Sequence, residues 1–111
     1  DTPAFEIAVE GSGWFGRREP TAVWARIRET GELSGLAASC ARAARRLHIP
    51  LERRAYTPHI TLAYCHATPL DDARAWTERH HAHSSPVWTA THFHLYSSQS
   101  RSLGPTCYVP E

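Results

Sequence analysis

A histidine and a threonine stand two residues apart in the stretch YTPHITLAYC, at His59 and Thr61, inside an otherwise apolar run. Side chains alternate along a strand, so His59, Thr61 and Ala63 point one way while Ile60, Leu62 and Tyr64 point the other. A rise of about 3.3 Å per residue sets the imidazole and the hydroxyl about 7 Å apart. A phosphate fits between such groups. The hydroxyl donates to a non-bridging oxygen, and the imidazole, whose ordinary pKa lies near neutrality, gives or takes a proton at a bridging one. Pro58 fixes the backbone just ahead of the pair, and a rigid strand is the right mount for a catalytic group.

The elements that would carry this pair follow from periodicity. Phe5, Ile7 and Val9 alternate with Glu6, Ala8 and Glu10, as in a half-buried strand, and GSGWFGRREP reads as a glycine-rich connection. TAVWARIRE alternates again, with Val23, Ala25 and Ile27 on one face and Trp24, Arg26 and Arg28 on the other, which predicts a hairpin with a long tip. From Leu33 the period lengthens: Leu33, Leu36, Ala37, Cys40, Ala44 and Leu47 predict an amphipathic helix ending by Ile49, ahead of Pro50. After the YTPHITLAYC strand, Thr68 reads as the N-cap and Pro69 as the first residue of a second helix, with Asp71 and Asp72 in its first turn. PVWTATHFHLYSS predicts a strand with Phe93 and Leu95 on one side and His92, His94 and Tyr96 on the other, and LGPTCYVPE a turn and a short strand. The order β-β-α-β-α-β-β implies an α+β fold: a mixed or mainly antiparallel sheet with two helices on one face, the other free to line a cleft.

Composition narrows the possibilities. A chain of 111 residues, 41% hydrophobic and 21% charged, is one globular domain, residues 1–111. No apolar run approaches a membrane span, so no membrane partner is expected. The formal net charge of +1 argues against a broad coat for nucleic acid, so any phosphate affinity is local. Cys40, Cys65 and Cys107 form neither a disulfide framework nor a metal knuckle, and a cytoplasmic location is the default expectation. His80, His81 and His83, and His92 with His94, invite a zinc reading; no carboxylate or cysteine stands at ligand spacing, and no metal or other cofactor is expected. Trp24 and Arg26 read either as a base-stacking platform and a phosphate contact or as a packed indole and a solvated guanidinium. Arg53 and Arg54, just before the motif, are candidates for steering a phosphate.

TPHITLAY, read with its surroundings, resembles the second signature of the 2H phosphoesterases, in particular the bacterial 2′-5′ RNA ligase-like branch, also described as RNA 2′,3′-cyclic phosphodiesterases. GSGWFGRREPTAVWARI is similar to that family's glycine-aromatic turn and the strand after it. The helix ending near LHIP sits where the family has one, and FHLYSSQSRSLGPTCYVPE resembles its closing strands. The resemblance implies a two-lobed domain in which each lobe contributes one H-x-[ST], with the two histidines flanking the scissile phosphate as acid and base and no metal. Carried to this chain, it makes His59 a catalytic acid or base and Thr61 a phosphate-holding hydroxyl. The substrate implied is an RNA end or nucleotide bearing a 2′,3′-cyclic phosphate.

Two departures qualify the resemblance. Tyr64, Cys65 and His66 follow the motif where the family often carries a basic residue, and no first H-x-[ST] precedes FEIAV. His66-Ala67-Thr68 and His83-Ser84-Ser85 match in letters but not in placement. The expectation is a C-terminal portion of the two-lobed domain whose site is completed by a missing N-terminal lobe or by a second copy of the chain. A non-catalytic RNA- or nucleotide-binding lobe of the same fold is the alternative.

Overall fold

The computed structural model describes residues 3–51, 55–99 and 107–110. The N-terminal alternation is realised as two strands rather than one: β1 (Phe5–Ile7) and β2 (Val9–Phe15), with the chain changing sheets at Ala8, which is 1% exposed. β2 continues through the glycine-rich stretch read as a connection, and a tight turn closed by Thr21 N–H donating to the Phe15 carbonyl (2.8 Å) leads into β3 (Ala22–Ile27). Gly16, with φ +109°, makes that turn possible. α1 (Gly31–Arg46) is capped by the Thr30 hydroxyl, which accepts from Leu33 N–H at 3.1 Å. β4 (His59–Tyr64), α2 (Leu70–Arg79), β5 (Trp88–Ala90), β6 (Tyr96–Gln99) and β7 (Cys107–Pro110) complete the described elements.

Every strand pair among the described residues is antiparallel: β1 with β5, β2–β3–β4 as a three-stranded sheet, and β6 with β7. The class is α+β, as the sequence implies. α2 lies against β2, where the buried Ser12 hydroxyl donates to the Thr77 carbonyl at 2.8 Å and Ala73 is 2% exposed. α2 begins one residue later than expected: Pro69 occupies the N-cap position, and Thr68 does not cap. The long strand expected over residues 86–98 is interrupted between β5 and β6, where residues 91–95 carry no strand. Arg53 and Arg54 lie outside the described residues.

The core is small. Phe5, Ala8, Ala22, Trp24, Ile27 and Ala73 are the buried apolar residues among those described. The radius of gyration is 15.7 Å, against about 13 Å from the scaling of compact domains of this length. The apolar stripe of α1 buries no residue; Leu33, Leu36, Cys40 and Ala43 instead face Phe5 and Ile7 across an open cavity of about 840 Å³. No helix among the described residues is long and apolar enough to cross a membrane.

Candidate functional site

The register of β3 and β4 brings the four candidate residues onto one face. Arg26 lies opposite His59, and Trp24 opposite Thr61. Directly opposed residues in an antiparallel pair share a side of the sheet, so the pairing joins what parity along each strand only suggests. β2 extends the same face, with Gly13 opposite Trp24 and Phe15 opposite Ala22. A Cβ at Gly13 would run into the Trp24 indole, so glycine there makes room for the ring.

His59 is held from three directions. Its ring meets Phe15 edge-on, with centroids 4.9 Å apart at 89°, and Trp24 at 5.6 Å. Phe15 and Trp24 are themselves 5.0 Å apart, which makes an aromatic wall behind the imidazole. Nδ1 of His59 lies 2.7 Å from the Thr57 carbonyl oxygen. A carbonyl can only accept, so Nδ1 carries the proton and donates it, leaving the Nε2 lone pair as the proton acceptor of the neutral ring. Pro58 between them is buried, and its carbonyl accepts from Ile27 N–H at 3.0 Å, which ties the start of β4 to β3.

Thr61 is half-buried, and its hydroxyl has no hydrogen-bond partner among the described residues. The Arg26 guanidinium sits 5.1 Å from the Trp24 ring centroid and has no carboxylate partner among the described residues. Trp24 is 3% exposed, wedged between Arg26, Phe15, His59 and the Gly13 backbone. Its ring therefore offers no open face on which a base could stack, and the packed-indole reading describes it. Its Nε1 is buried without a partner among the described residues.

Two features escape the sequence pattern. Phe15 reads as part of a turn because three glycines surround it, although its two-residue spacing from Gly13 was the signal of a strand face. The second is a register shift in the β3–β4 ladder: Trp24 faces Thr61, while Val23 faces Ala63. Leu62 is the extra residue of a bulge, which moves Tyr64 opposite Ala22 and onto the His59 and Thr61 side. The expected packing of Ile60, Leu62 and Tyr64 under the helices is not found: they are 44%, 58% and 65% exposed. Ser12, Ala25 and Ile60 mark one face across the sheet, and α2 covers it at β2 without reaching β4.

The remaining histidines do not converge. His80 stacks on Trp76 at 5.0 Å, and His92 meets His94 at 5.0 Å in a different segment. No group of three metal-ligating side chains occurs among the described residues.

An imidazole that donates through Nδ1, a hydroxyl with no hydrogen-bond partner among the described residues and a guanidinium thus share one sheet face. A profile of the 2′-5′ RNA ligase superfamily matches residues 1–101, and the chain belongs to that superfamily. Its members are 2H phosphoesterase-like proteins that act on RNA. Comparisons with characterised proteins and with solved structures gave no match.

Proposed function

We propose that the chain carries one half of a metal-independent cyclic phosphodiesterase site, which opens a 2′,3′-cyclic phosphate at an RNA end to a 2′-phosphomonoester. A water oxygen attacks phosphorus, the P–O3′ bond breaks, the water proton passes to a base and O3′ receives a proton from an acid. His59 performs one of these two transfers at Nε2. Thr61 donates its hydroxyl to a non-bridging oxygen, and Arg26, steadied on Trp24, offsets the phosphate charge. With the 5′-hydroxyl of a second RNA in place of water, the same attack at phosphorus and the same cleavage of P–O3′ join the two strands through a 2′-5′ linkage. The observation that carries the reading is the hydrogen bond from His59 Nδ1 to the Thr57 carbonyl. It gives the ring a reason to present Nε2 on the side where Thr61 and Arg26 lie.

The second proton-transfer group comes from a further lobe or from another copy of the chain. The rings that touch His59 among the described residues belong to Phe15 and Trp24, not to a second histidine. That observation also favours a second reading, a lobe that binds the RNA end without turning it over.

The test is hydrolysis of an oligoribonucleotide ending in a 2′,3′-cyclic phosphate by the full-length protein, in wild-type form and as His59→Ala. Loss of turnover by about 10²–10⁴-fold is expected from removing one general acid or base. Unchanged turnover in His59→Ala would defeat the assignment, and wild-type protein that binds the cyclic end at the His59 face without hydrolysing it would establish the second reading.

A further inference from the structure

The bulge at Leu62 has placed Tyr64 on the side of β4 that carries His59 and Thr61, about 13 Å from His59, four strand rises along the partner strand from Arg26 to Ala22. Tyr64 is 65% exposed, and its hydroxyl lies 3.0 Å from that of Tyr108 on β7, which is 56% exposed. The hydrogen bond to Tyr64 raises the Tyr108 phenol above its ordinary pKa. In the β6–β7 ribbon Tyr108 pairs with Ser98, two residues beyond Tyr96, so Tyr96 and Tyr108 share a face. From Tyr96 the rings continue: His94 lies 6.0 Å from it at 67°, and His92 lies 5.0 Å from His94 at 71°. These exposed side chains fall into two contacting groups, Tyr64 with Tyr108 and Tyr96 with His94 and His92, joined by the shared face of the ribbon.

We propose that Tyr64, Tyr108, Tyr96 and His94 form a stacking track for the nucleotides preceding the reacting end, so that the substrate is a single-stranded oligoribonucleotide rather than a mononucleotide. The inference rests on the phosphate-site reading of His59 and Thr61 and extends it along the chain of the substrate. The rings suit bases better than a protein partner. Each has an apolar face and a polar tip, the combination that stacks on a base and bonds to its edge. Exposed apolar side chains also stand near the track, Phe93 and Leu95 between its rings and Ile60 and Leu62 on β4, but ring contacts at a spacing of two leave Phe93 and Leu95 out of the row. The stacking role closed to Trp24 by burial thus passes to rings that are open. With a net charge of +1, affinity comes from stacking more than from phosphate neutralisation. A log–log salt slope of about −0.7, the value for one phosphate neutralised on a single strand, is expected if Arg26 is the contact.

Anisotropy of 5′-fluorescein oligoadenylates, one to five nucleotides long and ending in a 2′,3′-cyclic phosphate, tests the track on the full-length protein. Affinity should rise with length. Tyr96→Ala and Tyr108→Ala should each weaken the longer ligands by about tenfold and leave the single nucleotide unchanged, while Tyr108→Phe, which keeps the ring, should retain the length dependence. Length series that superimpose for wild type and both alanine variants would overturn the proposal. So would alanine variants that keep RNA affinity but change the sedimentation mass, which would make the track a protein interface. The two readings fail separately: His59→Ala that still turns over removes the catalytic assignment, whereas a lost length dependence in the tyrosine variants stands by itself.

Discussion

The two faces of β4 are inverted relative to an ordinary strand. The face with the polar residues, His59 and Thr61, is half-buried against Phe15 and Trp24, while the face with Ile60 and Leu62 is open to solvent. Hydrophobic burial alone would arrange the reverse. The difference teaches that packing on the first face serves to hold an imidazole in place, while the described residues leave the second face uncovered at β4. α2 shows how a covering looks: on the same side of the sheet, at β2, it brings Ala73 and the Thr77 carbonyl down onto the sheet.

The comparison is broken most directly through Trp24. Trp24→Ala removes the largest side chain of the small core, and should cost about 3–5 kcal/mol in urea unfolding. If that variant is as stable as wild type, the polar face is not held by packing. Gly13→Ala forces a methyl group into the indole and should cost about 1–3 kcal/mol. Because the clash displaces Trp24 and with it the wall behind His59, catalytic turnover should fall together with stability, whereas a loss of stability with unaltered turnover would show that His59 is positioned by Thr57 and Pro58 alone. The smallest effect is expected on the other face: Ile60→Thr with Leu62→Thr should shift stability by no more than about 0.5 kcal/mol in the isolated chain. A loss of several kcal/mol there would mean that the face is covered in solution, and the contrast between the two sides would disappear.

What could be read from the sequence follows the range of the forces involved. Alternation within β4 and within β3 is local, so the sharing of a face by His59 and Thr61, and by Trp24 and Arg26, was legible before any fold was known. That these two faces are the same face depends on pairing between residues far apart in the chain, and no periodicity reports it. The bulge that turns Tyr64 to the other side is a property of the ladder and not of either strand. Phe15 was hidden by the ordinary meaning of glycine: three in six residues suggest a turn, yet Gly13 lies in β2 to admit an indole. Helix periodicity located α1, but not that its apolar stripe would face an open cavity, because a stripe specifies a need for a partner and not its presence.

Trp24 has a further consequence, an optical one. It is the buried one of the four tryptophans, and its ring lies 5.6 Å from the His59 ring. An indole in such surroundings emits at short wavelength, and an imidazolium beside it quenches that emission while a neutral imidazole does so far less. The blue edge of the protein's fluorescence is therefore expected to respond, without any label, to changes at the His59 ring.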